Sequence, residues 1–197
     1  MVGAAAAQQP TTPHETPLQQ RSPDEIRALA LLHMESASPG PEHERLAAME
    51  GTWDIEITMW PQRDAEPMTM NGTVEAEMIL GGRFLVQTSD IGDTDAAGEM
   101  MSILGFDRRS GEYTLIGLDT SGTYWVTARG QANETGNGAV LSGEDYDAVF
   151  ELMQVYDFVL DWPDEDTFRT QIIFKDEMHT RGGPPFKMVE TVSRRRR

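Results

Sequence analysis

From Gly51 onward, apolar and polar residues alternate along the chain with a period of two. In the first such segment Trp53, Ile55 and Ile57 alternate with polar side chains, which is typical of a strand with one buried face. About ten segments of this kind follow one another up to Arg194, with turn residues and no helical pattern between them. We therefore expect a single antiparallel up-and-down β-barrel, because closure leaves no exposed strand edge; a β-sandwich is the alternative.

A different pattern precedes these strands. Ser22, Pro23 and Glu25 predict the start of a helix, since serine caps it, proline suits its first turn and glutamate completes a capping box. A second short helix is expected between Pro41 and Gly51, whereas the first residues carry no period. The predicted organisation is a disordered leader over 1–21, a helix and linker over 22–38, the barrel domain over 39–194 and a basic tail over 195–197.

Three segments together resemble the bacterial family called domain of unknown function 1579. They are Gly40-Pro41-Glu42-His43-Glu44-Arg45-Leu46 leading into Gly51-Thr52-Trp53-Asp54, then Met78-Ile79-Leu80-Gly81-Gly82-Arg83-Phe84-Leu85, and finally Phe186-Lys187-Met188-Val189-Glu190. The resemblance implies a lipocalin-like barrel without an established activity. Its start is similar to the wider lipocalin superfamily, which implies that Gly51, Trp53 and an arginine of the last strand close one end. Arg194 is the expected arginine, with Arg195–Arg197 as alternatives.

Composition excludes several classes of function. The chain has 16 basic and 33 acidic residues and a net charge of −17, which disfavours binding to nucleic acid. No apolar run reaches the roughly 20 residues that an integral membrane segment needs. The absence of cysteine removes disulfides, thiolate nucleophiles and thiolate metal sites. Ala5-Ala6-Ala7 is similar to the cleavage site of a trimmed signal peptide, so cytoplasmic and periplasmic locations both stay open.

The titratable residues predict no catalytic group, metal site or cofactor. The four histidines, His14, His33, His43 and His179, do not have the spacing of a zinc site, and we do not expect His179 to bind haem. Two acidic groups are interpreted as solvated turns and not as a calcium loop or a pair of catalytic carboxylates. They are Asp90, Asp93, Asp95 and Glu99, and Glu144, Asp145 and Asp147.

Function is predicted from the expected shape. A barrel of eight to ten strands is too wide for its side chains to fill, so we expect a cavity for a small apolar or amphipathic ligand. The residues proposed to line it are Trp53, Met78, Phe84, Met101 and Trp125. Two alternatives are an interaction module, in which helix 22–36 supports a homo-oligomer, and an enzyme acting inside the same cavity.

Overall fold

The protein is described by a computed structural model that covers residues 20–92 and 98–197. The leader predicted over 1–21 therefore lies almost entirely outside the described residues, as do Asp93 and Asp95 of the first acidic group. The chain divides into two compact units after Ser38, and each is described by itself.

The first unit contains one helix, α1 (Pro23–Ser36), which begins as the sequence predicts. The Ser22 side chain accepts a hydrogen bond from the Glu25 backbone N–H, and the Glu25 carboxylate accepts one from the Ser22 backbone N–H at 2.7 Å. This reciprocal capping box stabilises the first turn. None of the 14 residues of the helix is buried.

The second unit begins with a short helix and continues as a series of strands. Helix α2 (Pro41–Ala47) comes first, and α3 (Glu177–Thr180) lies just before the last strand. The strands are β1 (Gly51–Met59), β2 (Met68–Ile79), β3 (Phe84–Ile91), β4 (Gly98–Asp107), β5 (Glu112–Asp119), β6 (Val126–Ala132), β7 (Gly138–Asp147), β8 (Leu152–Asp164), β9 (Thr167–Phe174) and β10 (Phe186–Arg195).

These ten strands form a closed antiparallel barrel. Each strand pairs with its neighbours in sequence, and β1 pairs with β10 from Trp53 opposite Arg195 to Met59 opposite Val189. The predicted up-and-down barrel is confirmed, and the sandwich is excluded because the first and last strands are hydrogen-bonded to each other. β10 also includes Arg195, the first residue of the predicted basic tail, whereas Arg196 and Arg197 follow the strand.

Strand alternation determines which side chains face the interior. Trp53, Ile55 and Ile57 are buried, whereas Asp54 and Glu56 between them are exposed. The same alternation identifies the inward residues of the middle strands, which the sequence alone left open. The residues of these strands that face inward and are buried include Leu85 of β3, Leu104 of β4, Tyr113 and Leu115 of β5, Ala128 of β6, Ala139 and Leu141 of β7, and Phe158 and Leu160 of β8.

The two ends of the barrel differ. We call the end at the start of β1 the closed end, because α2 packs there against β2, β3 and β4. Leu46 of α2 is completely buried. The opposite, open end carries the connections 60–67, 120–125, 148–151 and 175–185. Within residues 20–92 and 98–197, no helix is both long and apolar enough to cross a bilayer.

Candidate functional site

Trp53 lies at the centre of the closed end. Its ring is 3% exposed, and its indole N–H donates a hydrogen bond to the Met49 carbonyl at 2.9 Å. The Arg195 guanidinium lies 4.2 Å from the centroid of the ring and donates to the Ala48 carbonyl at 2.6 Å and the Glu50 carbonyl at 2.7 Å. This arrangement joins the last strand to the chain just before the first.

The arginine on Trp53 is therefore Arg195, and the expectation of Arg194 is corrected. Arg194 pairs in register with Asp54, on the outer face of the barrel, and is exposed. Arg195 lies one residue further along and so shares the inward face with Ser193 and Trp53. A difference of one residue in a strand exchanges the two faces, which is why the sequence alone did not distinguish the two arginines.

Aromatic rings fill the rest of the closed end. Tyr113 is completely buried and makes edge contacts with Phe106 and Trp162. Burial raises the pKa of Tyr113, an effect that the nearby Arg45 opposes. A cavity of about 260 Å³ remains beside Arg45, Trp162 and Phe168.

His43 belongs to the structure of the same end. Burial lowers the pKa of His43, and its Nδ1 accepts a hydrogen bond from the Gly40 backbone N–H at 3.1 Å. Its ring also makes an edge contact with Phe106. These two contacts hold the His43 ring where α2 meets the barrel.

Toward the open end, several inward-facing side chains are only partly buried. We call this region the open half, and its partly buried inward residues include Met70, Gln87, Ser102, Val126, Ile172, Phe174 and Val189. Other inward residues of the same region, such as Ile57 and Tyr156, are buried. Leu85, Leu104 and Leu141, inward residues nearer the closed end, are at most 1% exposed. The partly buried positions of the open half are therefore packed less completely than these three leucines.

The lining of the open half combines apolar and polar groups. Ser102 donates a hydrogen bond to the side-chain oxygen of Gln87 at 3.1 Å across β3 and β4. Thr170 and Thr191 face each other across β9 and β10, on the same face as Ile172 and Val189. The inward face of β7 also carries a carboxylate there, Asp145.

An aspartate–histidine pair lies where β9 reaches the open end. The Asp176 carboxylate oxygens lie 2.8 and 2.9 Å from His179 Nδ1, and one of them also accepts the His179 backbone N–H at 3.1 Å. The imidazole stacks on Phe174 with 3.9 Å between ring centroids. Burial alone would raise the pKa of Asp176, but hydrogen bonds from His179 and from the Val155 backbone N–H hold it below its usual value.

The structure does not bring the five proposed lining residues together. Trp53 and Met78 lie among the core residues, although Trp53 belongs to the closed end. Phe84 and Met101 are on the outer face, since the inward positions of their strands fall to Leu85 and Leu104. Trp125 precedes β6 and is 65% exposed. The period-two pattern of Phe168, Thr170, Ile172 and Phe174 in β9 could have identified part of the observed lining.

A larger concavity lies on the outer wall. It has a volume of about 600 Å³ where pairing between β6 and β7 ends, at Arg129 opposite Ser142. Outward residues line it, including Ile116, Arg129, Ser142 and Glu144, together with the inward residues Leu115 and Ala128. Its exposed lining is more apolar than polar.

No metal centre is found among the residues that the structure describes, where no three histidine or acidic side chains converge. In the second acidic group, Glu144 and Tyr146 face outward, whereas Asp145 is partly buried and lies near Tyr156. Burial and the Asp145 charge raise the pKa of Tyr156, whose hydroxyl lies 3.4 Å from the Thr127 carbonyl.

Solved structures with similar folds are also barrels of distant sequence. Rv2717c from M. tuberculosis is 17% identical, with a TM-score of 0.55 that covers 81% of this chain and all of that one. The S-type phycobiliprotein lyase CPES from Guillardia theta is 12% identical, with a TM-score of 0.53 that covers 84% of this chain and 97% of that one. At these identities the likeness shows the fold alone.

Sequence comparison assigns the chain to a family. No curated protein matches it. A family model described as a protein of unknown function, DUF1579, matches residues 38–195, the whole of the barrel and helix α2. The chain therefore belongs to the DUF1579 family, as the resemblance of its three segments predicts.

Proposed function

We propose that the protein binds a small apolar or amphipathic molecule in the open half of its barrel. The observation that carries the proposal is the partial exposure of inward side chains such as Ile172, Val126 and Val189. In a solid core these residues would be as buried as Leu85 and Leu141. Water alone is a poor occupant of a largely apolar space, so a ligand that displaces it gains free energy.

The residue types of the lining support a ligand with a flexible apolar part. Met70 adapts its shape to irregular partners, and Ile172 and Val189 offer further apolar surface. The hydrogen-bonded pair of Gln87 and Ser102 provides a polar position among them. One protein with a similar barrel is named a phycobiliprotein lyase, but at 12% identity this supports only the barrel as a container.

The experiment compares adjacent residues of one strand. Ile172→Trp fills the open half from the inner face of β9, whereas Ile173→Trp places the same ring on the outer face. Binding is followed by the fluorescence of N-phenylnaphthylamine, a neutral apolar probe. We expect Ile172→Trp to weaken binding by about tenfold or more, the equivalent of 1.4 kcal/mol, and Ile173→Trp to leave it unchanged.

A third variant separates the interior from the outer wall. Ile116→Trp changes the concavity between β5 and β7 and leaves the interior intact. If Ile116→Trp weakens probe binding while Ile172→Trp does not, the ligand site lies on the outer wall and the proposal is wrong. Equal binding by all three variants would also contradict it.

A second candidate function is interaction through α1. Ile26, Leu31, Leu32 and Met34 of this helix are all exposed, and such a surface is able to pair with another protein or a second copy of the chain. Deletion of residues 1–38 should then lower the number of chains per particle, which light scattering gives as the measured mass divided by the mass of one chain. An unchanged number of chains would remove homo-oligomer formation through this helix.

A further inference from the structure

On the basis of the proposed function, we propose that His179 accepts a hydrogen bond from the polar end of the ligand. The ligand class is then an amphipathic molecule with a donor group, such as an alcohol or an amine, and not a fatty acid anion. Asp176 is a positioning residue, which holds the imidazole without touching the ligand.

The hydrogen bonds of the pair determine which imidazole nitrogen is available. Both Asp176 oxygens lie within 2.9 Å of His179 Nδ1, and the Asp176 side chain is only 6% exposed. An ionised carboxylate only accepts hydrogen bonds, so Nδ1 must carry the proton. In the neutral ring, Nε2 then has a free lone pair and is an acceptor.

Nε2 has no hydrogen-bonding partner among the residues that the structure describes, although the His179 side chain is only 15% exposed. Nε2 is not among the buried polar side-chain atoms that lack a partner in the described residues, so it is accessible from outside the ring. An accessible acceptor without a protein partner is available to the donor group of a ligand, which would replace water there.

The position of the ring connects it with the open half. His179 stacks at 25° on Phe174, which faces inward from β9 and contacts the ring of Tyr156. A molecule whose apolar part lies along Ile172 and Phe174 would therefore bring its polar end to the level of His179. The apolar contact along Ile172 and Phe174 and the hydrogen bond at His179 would together favour an amphipathic ligand over a purely apolar one.

The test uses three ligands with the same twelve-carbon tail: dodecanol, dodecylamine and dodecanoate. Each is tested for displacement of N-phenylnaphthylamine in the same buffer. We expect the alcohol and the amine to displace the probe at concentrations about fivefold lower than dodecanoate, the size of one net hydrogen bond.

Variants identify the group responsible. His179→Phe keeps an aromatic ring on Phe174 but removes Nε2, so the three ligands should become equal while probe binding persists. Asp176→Asn removes the charge that holds the proton on Nδ1, so the preference should fall toward equality. His33→Phe, in α1, is the matched control and should behave as wild type. Thermal unfolding shows which variants are folded. If His179→Phe does not fold, the ligand preference of Asp176→Asn decides whether the inference holds.

Two results would overturn the inference: a preference for dodecanoate in the wild type, or an unchanged preference for donors in folded His179→Phe. Both are distinguishable from failure of the proposed function, which Ile172→Trp and N-phenylnaphthylamine test without any head group. If the Asp176–His179 pair had only a structural role, substitutions in it would lower the affinity for all three ligands by one common factor.

Discussion

The closed end and the open half of the barrel are built from the same ten strands but are filled differently. At the closed end Trp53, Tyr113 and Phe168 are buried, and the rings of Tyr113 and Phe168 both lie against Trp162. In the open half, inward residues such as Ser102 and Ile172 keep part of their surface exposed. The difference shows that the completeness of packing varies along one interior.

Residue size explains the division. Large aromatic side chains occupy inward positions near Trp53, and α2 covers them. Further along the same strands the inward positions include the small residues Gly117, Gly143, Ser102 and Thr170. Large inward residues such as Ile57 and Tyr156 are buried in the same region, so the open half is packed unevenly.

Trp53→Ala should break the closed end and has the largest expected effect. It removes a buried ring, its hydrogen bond to Met49 and the surface on which Arg195 lies. We expect a loss of about 3–5 kcal/mol in the free energy of unfolding, as for other buried aromatic residues. Urea denaturation measures it, and a loss below about 1 kcal/mol would show that Trp53 is not central to stability.

Arg195→Ala tests how the ends of the chain are joined. Arg195 donates hydrogen bonds to three carbonyls, of Ala48, Glu50 and Glu165, and lies on the Trp53 ring. Its loss should cost about 2–3 kcal/mol. Arg194→Ala is the matched control and should change stability by less than about 0.5 kcal/mol, since its side chain is exposed. If the two substitutions changed stability equally, the assignment of Arg195 and not Arg194 to the Trp53 ring would be contradicted.

The sequence predicts the periodic features of this fold better than the features that depend on strand register. Alternation from Trp53 to Ile57, repeated about ten times, was enough for the strand count and the closed barrel. Register was not predictable, because Arg194 and Arg195, or Phe84 and Leu85, differ by one position and only pairing decides which faces inward.

The candidate site was less predictable than the fold. A prediction based on large apolar residues selected Met101 and Trp125, which lie outside. The partly buried positions of the open half depend on where small inward residues such as Gly117 and Gly143 fall, which only the register decides. The contact of His179 with Phe174 depends on how α3 lies beside the end of β9, and no spacing in the sequence gives that geometry.

Ile172→Ala tests how completely the open half is packed in comparison with the closed end. The Ile172 side chain is partly exposed to the interior, so truncation removes less buried surface than at the closed end. We expect a cost below about 2 kcal/mol, the lower limit for fully buried isoleucine. Leu141→Ala, at a completely buried inward position, is the control and should cost about 2–5 kcal/mol. Equal losses would mean that the open half is as densely packed as the rest.

The smallest expected effect is the dependence of stability on pH at the open end. Because hydrogen bonds hold the pKa of Asp176 below its unfolded-state value, they stabilise the fold when the carboxyl is ionised. This stabilisation is complete at neutral pH and is lost as the pH falls from about 4, the ordinary value, through the folded-state pKa. The difference in melting temperature between wild type and Asp176→Asn should therefore shrink on acidification.

Glu177→Gln, at the exposed next residue, is the control and should have the same melting temperature as wild type at every pH. A difference that stays constant with pH would show that the charge of Asp176 does not stabilise the open end.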